Sequence, residues 1–246
     1  MYAFYFLSYE ERLLYSLLLD GISSRDSSIM CSYIYSNAVI NKIIKSVLID
    51  NPHLFWFEGK WGSSKYGNQV CVEPLYTRTE FEIEAAKMEI SSLAQTLSSI
   101  KTNEVDNAFC IYNWLINNVH YGNSSGGQTI FDALVLRNAV CKGLSKAYQF
   151  LLRELCIFST LVEGTIDGRN KHIWNIVELN GRYYNVDVAA GYPAVYTLIN
   201  NEIKKGSFFA ISDLTIRKTH TFWDNNVPKL ACTDDLTGGN HGHNQV

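Results

Sequence analysis

The dipeptide Asn180-Gly181 is the sequence feature that most constrains the fold of this chain, because it stands between two runs of alternating apolar and polar residues. Asn and Gly readily take the positive φ angles that a two-residue hairpin turn requires. The pair therefore predicts that residues 171–179 and 182–188 form neighbouring antiparallel strands. A further β-like run at residues 159–166 adds a third strand to the predicted sheet.

A helix is predicted directly before this sheet. Leu144, Tyr148, Leu151 and Leu155 recur at three- and four-residue spacing in CKGLSKAYQFLLREL, so they lie on one face of a helix. Cys141 stands in the first turn of this helix. A helix that is followed by an antiparallel sheet indicates an α+β fold.

The N-terminal part of the chain adds further helices and a second hairpin. Apolar periodicity predicts helices at residues 9–19, 28–49, 80–98 and 104–120. The aromatic and β-rich pieces LFWFEGKW and NQVCVEP, separated by GSSKYGN, predict a hairpin between Pro52 and Pro74. We therefore expect an N-terminal helical region with a hairpin at residues 1–78, a catalytic domain at 79–236 and a disordered tail at 237–246.

Composition and charge exclude several classes of protein. The chain has 246 residues, of which 47% are hydrophobic and 18% charged, and this balance is typical of an ordered globular protein. Its net charge of −3 provides no basic field for a phosphate backbone, so no nucleic-acid partner is expected. The sequence has neither an apolar run long enough to span a membrane nor the cationic start of an export signal, so we expect a soluble cytoplasmic protein. The oligomeric state is left open.

Metal-binding patterns are weak in this sequence. The six cysteines are scattered and form no CxxC pair, so we expect reduced thiols. The close histidine pair His241 and His243 lies in the Gly/Asn-rich tail, where little would hold a zinc ion. We therefore expect no metal site and no cofactor.

One cysteine stands apart from the others by its place in the predicted fold. A thiol attacks an acyl carbon as the thiolate, and the unpaired N–H groups at a helix N-terminus stabilise that anion. Cys141 alone stands at a loop-to-helix junction. Cys71, Cys110 and Cys156 lie in predicted strands or helices and are interpreted as core residues.

The predicted hairpin supplies a base for this thiol. In its register Trp174 faces Asp187, so His172 and Asp187 become diagonal neighbours on one face of the sheet, about 7 to 8 Å apart between backbones. An imidazole and a carboxylate can bridge that separation with a hydrogen bond, and the acid then orients the base. Asp187 stands between Val186 and Val188, an apolar setting in which a carboxylate needs a partner.

The strings NAVCKGLSKAYQFLLREL and KHIWNIVELNGRYYNVDV resemble the transglutaminase-like superfamily of papain-like enzymes, in its bacterial form. Bacterial members show a pattern close to V-C-x-G-Y-[AS]-x-A-[FY]-x-x-L-L, then H-A-W-N-x-V, then G-x-W-Y-x-V-D. The resemblance implies that Cys141 is the nucleophile, His172 the general base and Asp187 the orienting acid, and it extends over about residues 47–230. It also implies a papain-like core in which the nucleophile begins a helix that packs on an antiparallel sheet.

Two segments depart from the family pattern. After Asp187 the chain continues as VAAGYP, without the Trp and the acid that the family commonly has there. Phe131-Asp132 stands where the family has Tyr-Gly before the nucleophile. Both segments flank the predicted site, so they leave the substrate preference open.

A developing oxyanion needs a second donor besides the backbone N–H at the helix start. Gln128 and Trp174 both carry side-chain N–H groups, and of the two we choose Gln128. Asn175 is predicted on the hairpin face opposite His172 and is interpreted as structural, as is His220.

These observations predict a thiol enzyme that acts on carboxamides, either a peptide bond or a Gln side chain, through a covalent acyl-enzyme. Water as the second nucleophile gives a cysteine protease or a deamidase, and an amine gives a transglutaminase. The expected partner is a protein or peptide substrate. The alternative is a catalytically silent module of the same fold that binds a protein through exposed aromatic residues around Phe55, Trp56 and Trp61.

Overall fold

The structure, a computed structural model, describes residues 1–99, 102–122, 126–192, 208–223 and 229–236. Its helices are α1 (Tyr2–Tyr5), α2 (Tyr9–Ser24), α3 (Asn37–Asp50), α4 (Glu80–Ser98), α5 (Glu104–Asn118), α6 (Ile130–Leu134), α7 (Cys141–Glu154) and α8 (Asp213–Ile216). Its strands are β1 (Ile29–Cys31), β2 (Phe57–Tyr66), β3 (Gln69–Tyr76), β4 (His120–Tyr121), β5 (Asn138–Ala139), β6 (Ser159–Ile166), β7 (Asn170–Leu179), β8 (Arg182–Val186) and β9 (His220–Phe222). The tail predicted at 237–246, with His241 and His243, lies outside the described residues.

The N-terminal region differs from its prediction at one point. Residues 28–49 were expected to form one helix, but Ile29–Cys31 form a strand that pairs with β3, and the helix begins only after Ser36. Ser36 caps that helix because its hydroxyl accepts a hydrogen bond from the Val39 N–H. Ile29 and Cys31 are buried and the residue between them is exposed, which is the two-residue period of a strand.

The predicted N-terminal hairpin is confirmed, with a shorter loop than expected. The strands β2 and β3 pair antiparallel, and β1 joins them in a sheet of order β1-β3-β2. Ser63 and Ser64, which the prediction assigned to the loop, pair with Val72 and Cys71. The turn narrows to the two residues after Tyr66, and its Gly67 has a φ of 58°, which glycine adopts without steric cost.

The C-terminal sheet has four antiparallel strands among the described residues, in the order β8-β7-β6-β9. Its central hairpin has the predicted register, because Leu179 pairs with Arg182 and Asn175 with Val186. β8 ends at Val186, two residues earlier than predicted. The chain turns there because the carboxylate of Asp187 accepts the Ala190 N–H and so begins a short 3-10 turn.

Helix α7 packs on this sheet and begins at Cys141, as predicted. The Ser145 hydroxyl donates to the Ile173 carbonyl at 3.0 Å, and the Asn175 amide donates to the Ser145 carbonyl at 3.1 Å. A Cβ at Gly143 would lie 2.3 Å from the Gly127 carbonyl oxygen, so the first turn of the helix requires glycine there. The predicted α+β core, with N-terminal helices and a hairpin, is therefore confirmed. Within the described ranges, no helix has the length and apolar character that crossing a membrane requires.

Candidate active site

Cys141 is the first residue of α7 and carries a free, half-buried thiol. The residue before it, Val140, has no capping side chain, so the first-turn N–H groups of the helix have no side-chain partner at that position. Cys71 is buried in β3, as predicted, and Cys110 is half-buried in α5. The core assignment of Cys156 is wrong, because this residue is exposed and turns the chain after α7 with a φ of 60°.

His172 and Asp187 meet as the hairpin register predicts. Nε2 of His172 lies 2.6 Å from Oδ2 of Asp187, and both side chains are almost fully buried. The imidazole of His172 also interacts with the Cys141 sulfur, which raises the pKa of the ring. Because Asp187 engages Nε2, Nδ1 is the ring nitrogen left for that thiol. The three residues thus form one connected chain of polar groups.

His220 joins the same carboxylate, a contact that the sequence interpretation missed. Its Nε2 lies 2.9 Å from Oδ2 of Asp187, and its Nδ1 lies 2.8 Å from the Thr219 hydroxyl. The other carboxylate oxygen, Oδ1, accepts the Ala190 N–H at 3.0 Å. Asp187 therefore has three hydrogen-bond partners in a setting that excludes water. The alternation of His220 and Phe222 in KTHTFW was the available sequence signal, since it is typical of a strand with one buried face.

The charges of this cluster stabilise one another. Burial alone would raise the pKa of Asp187, but the charges and hydrogen bonds of His172 and His220 hold it below its usual range. Burial alone would lower the pKa of His172, but Asp187 and the Cys141 sulfur outweigh it and raise this pKa to about 10. At neutral pH the pair is therefore an imidazolium next to a carboxylate. The Cys141 sulfur therefore interacts with a cationic ring.

Trp174 forms a wall of the site rather than part of its chemistry. Its ring centroid lies 6.3 Å from that of His172 and 5.0 Å from that of His220. Its indole N–H donates to Asn185 Oδ1 at 3.0 Å. Since an indole has a single donor, the structure excludes Trp174 as the second oxyanion donor that the sequence allowed.

Space for these rings is made by Gly164, which lies in β6 opposite His172. A Cβ at this position would be 2.0 Å from the Thr221 carbonyl oxygen and 2.9 Å from the ring of Trp174. Gly164 pairs with His172 on one side and with Phe222 on the other. The absence of a side chain therefore lets the rings of β7 and β9 meet over β6.

Residues 126–129, which precede α6 and are called the connector here, run beside the start of α7. The Gly127 carbonyl accepts the Val140 N–H at 3.1 Å, and Gln128 follows it with a half-buried side chain. The described contacts do not join Gln128 to Cys141, so its role as an oxyanion donor stays a prediction. Tyr121 was not anticipated from the sequence. Burial, with the nearby charges of Cys141 and Asp187, raises the pKa of this tyrosine to about 12, so its hydroxyl stays protonated beside the site.

The departure from the family pattern at Phe131-Asp132 has a structural role here. Asp132 is buried and caps α6, since its carboxylate accepts from the Thr129 hydroxyl and backbone N–H. Phe131 stacks against Phe55 with ring centroids 5.8 Å apart, and the Arg78 guanidinium covers its ring. These two residues therefore pack and cap the segment before α7, and their contacts described here do not include Cys141, His172 or Asp187.

The described residues include one group of potential metal ligands. One ligand atom each from His172, Asp187 and His220 lie within 4.8 Å of one another, and two imidazoles with a carboxylate are a set that can hold a transition metal. In the structure the same atoms are hydrogen-bonded to one another, which accounts for their closeness.

The aromatic surface that a silent interaction module would use is not present at the expected residues. Phe55 is 3% exposed and Trp56 is 5% exposed, and the indole of Trp56 donates to the Ile22 carbonyl. Trp61 is half-buried and donates to Asn41 Oδ1 at 2.8 Å. The expectation of exposed aromatics here is therefore wrong, because these side chains pack into the N-terminal core.

Residues 91–188 match the family model of the transglutaminase-like superfamily. The matched segment contains Cys141, His172 and Asp187, together with α7 and the strands β6, β7 and β8. This match supports the resemblance to the transglutaminase-like superfamily that the motifs of this segment predicted.

Three solved structures are similar to parts of this chain at low identity. A TGase aligns with a TM-score of 0.43 at 12% identity. The alignment covers 74% of this chain and 54% of the TGase chain. A candidate cysteine protease from Cytophaga hutchinsonii aligns with a TM-score of 0.38 at 15% identity, covering 53% of this chain and 61% of its own. A candidate protease from Parabacteroides distasonis aligns with a TM-score of 0.32 at 10% identity, covering 53% and 39%. The chain thus spans less than two thirds of each of these proteins. No curated protein sequence matches it.

Proposed function

We propose that this protein is a thiol enzyme that attacks the carboxamide carbon of a protein or peptide substrate with Cys141. The observation that carries the proposal is the connected chain from the Cys141 thiol through His172 to a buried Asp187 with three hydrogen-bond partners. A buried carboxylate is expensive unless it is fully hydrogen-bonded. A cluster of this kind in a half-open setting next to a thiol is typical of an activated nucleophile.

The reaction proceeds through a covalent intermediate. The sulfur of Cys141 forms a bond to the carboxamide carbon, and its proton resides on His172. The leaving amine takes that proton as its C–N bond breaks, and a thioester remains on Cys141. Water then gives hydrolysis or deamidation, and an amine gives transamidation, with His172 accepting a proton from the incoming nucleophile.

The other residues of the cluster support these steps. Asp187 orients the His172 ring and stabilises its cation. His220 is a positioning residue, because it acts on the reaction only through Asp187. The backbone N–H groups at the start of α7 donate hydrogen bonds to the developing oxyanion, with Gln128 as the proposed second donor.

Thiol labelling tests the proposal directly. With iodoacetamide at neutral pH, we expect Cys141 to react at least about ten-fold faster than the more exposed Cys156, because only Cys141 has an imidazolium partner. His172→Ala should remove this advantage, while the matched variant Cys156→Ser should leave the rate at Cys141 unchanged. Peptide mass spectrometry measures both rates. Equal rates at the two thiols in the wild-type protein would overturn the proposal.

The same protein then identifies the second nucleophile. A mixture of unfolded proteins with a labelled primary amine should show amine incorporation, Gln deamidation or chain cleavage by mass spectrometry. Cys141→Ala serves as the blank, because it removes the nucleophile and leaves the fold.

A further inference from the structure

A cavity of about 200 Å³ lies between α3, β2, α7, β6 and β7, and the buried Lys146 lines it. Lys146 is only 5% exposed, yet no hydrogen bond or ion pair joins its ammonium group to another described residue. A buried charge without a partner is costly, and proteins keep one mainly where it has a task.

The walls of this cavity come from five elements and combine apolar with charged side chains. They include the side chains of Ile44 and Leu48 from α3, Leu161 from β6 and Ile173 from β7. The N-terminal region thus forms one wall and the transglutaminase-like core the other. A ligand with a short aliphatic part would fit this lining.

The charged groups of the lining leave one positive charge in excess. Lys45 forms an ion pair with Glu163 across the cavity rim, and Glu58 faces the two lysines of α7, Lys142 and Lys146. Three lysines therefore stand against two glutamates. When Lys146 is protonated, a singly charged anion matches this excess, whereas a phosphate dianion would leave one negative charge uncompensated.

The cavity adjoins the candidate active site along the chain. Lys142 directly follows Cys141, and Ile173 directly follows His172. Lys146 is five residues from Cys141 in the same helix, so their backbones are separated by about 7.5 Å along the helix axis. Five residues also rotate the helix by about 140°, so only a substrate side chain that reaches around the start of α7 from Cys141 would meet Lys146.

We propose that this cavity is a binding site for one carboxylate group on a short aliphatic chain, held by the ammonium group of Lys146. The carboxylate belongs either to an acidic side chain next to the reacting carboxamide or to a free small carboxylic acid. The first of these two sources rests on the proposed function. The chemistry at Lys146 is the same in both cases, and the two sources are separated by experiment.

The titration of Lys146 supports this assignment. Burial, with a smaller contribution from the charge of Lys142, lowers its pKa to about 7, although the charges of Glu58 and Asp132 act in the opposite direction. Lys45 and Glu163 on the facing elements largely neutralise each other. A bound carboxylate would favour the protonated amine, so binding should take up a proton near neutral pH and weaken as the pH rises.

Calorimetric titration of the wild-type protein with butyrate and with its neutral isostere butyramide tests the site. We expect butyrate to bind at one site and at least about ten-fold more tightly than butyramide, since only butyrate pairs with the ammonium group. Lys146→Met should abolish the difference, and the exposed matched control Lys171→Met should retain it. Equal binding of the two compounds, or butyrate binding that Lys146→Met does not change, would overturn the proposal.

A second pair of ligands distinguishes the source of the carboxylate. If the site serves a substrate side chain, acetyl-Gln-Glu-amide should displace butyrate from the Cys141→Ala protein, and acetyl-Gln-Gln-amide should not. Displacement by neither peptide, with butyrate still bound, assigns the site to a free acid. Iodoacetamide labelling of Cys141 in the wild-type protein reports separately on the proposed function. In that protein, fast labelling without butyrate binding would refute this site alone, and slow labelling with butyrate bound would refute the enzyme alone.

Discussion

Replacement of Lys146 by Met should stabilise the fold, by an amount that decreases as the pH rises. In the folded protein the pKa of Lys146 falls from its ordinary value of 10.5 to about 7. One pKa unit corresponds to about 1.4 kcal/mol, so burying the charged amine costs the folded state about 4 kcal/mol at pH 7 and less than about 1 kcal/mol at pH 10. Methionine fills a similar volume without this penalty.

The sign follows from the protons that each state binds. Between pH 7 and pH 10.5 the unfolded wild-type chain holds a proton on Lys146 that the folded protein has released. The contribution of Lys146 to the free energy of unfolding of the wild-type protein therefore becomes more favourable as the pH rises. Methionine does not titrate, so the Lys146→Met variant lacks this pH dependence. The difference in the free energy of unfolding between variant and wild type should therefore be largest near pH 7 and shrink towards pH 10.

Urea denaturation at pH 7, 8.5 and 10 measures this difference, with Lys171→Met as the matched surface control. The control should change the free energy of unfolding by less than about 0.5 kcal/mol at each pH. A Lys146→Met variant that is less stable than wild type at pH 7 would refute the reasoning. It would mean that the amine has a stabilising partner, and the carboxylate site would lose its main support.

Two further perturbations test the proton chain and the space around it. Asp187→Asn should lower turnover by about 10³- to 10⁴-fold, and the labelling rate of Cys141 with it. The reason is that the His172 ring loses both its orienting group and its counter-charge. Unchanged rates would show that Asp187 is only structural. Gly164→Ala should lower the free energy of unfolding by about 1 to 3 kcal/mol and slow Cys141 labelling, since its methyl group would meet the Thr221 carbonyl. The matched change Gly62→Ala, which meets only ordinary contacts in another strand, should do neither.

Local signals made much of this fold predictable. Asn180-Gly181 and the alternation around it specified the register of β7 and β8, because turn chemistry and the buried face of the sheet agree on one pairing. The position of Cys141 followed equally from the apolar stripe of α7. Each of these elements is defined by neighbours within a few residues in sequence.

Contacts between distant parts of the chain were not predictable in the same way. His220 reaches Asp187 because β9 pairs with β6, and the alternation in KTHTFW indicates a strand but does not indicate its partner. The strand at Ile29–Cys31 is specified by its partner β3 rather than by its own sequence, which is too short to show a period.

The aromatic residues of the N-terminal region illustrate a further limit. Phe55 and Trp56 follow a helix and precede a strand, and no local pattern tells whether such residues face solvent or the core. Their burial depends on where α2 and α4 pack. Hydrophobicity alone favours burial, but a binding surface has the same composition.

The strand between the two histidines contributes to the site by the side chain that it lacks. His172 and His220 lie on strands that flank β6, and their rings approach to 5.3 Å between centroids over Gly164. Gly164 contributes space, because it has no side chain. A single methyl group at this position would fill that space and displace the hydrogen bonds at Asp187 without altering any charge. An inventory of acids, bases and nucleophiles would therefore omit one of the positions on which the geometry of the cluster depends.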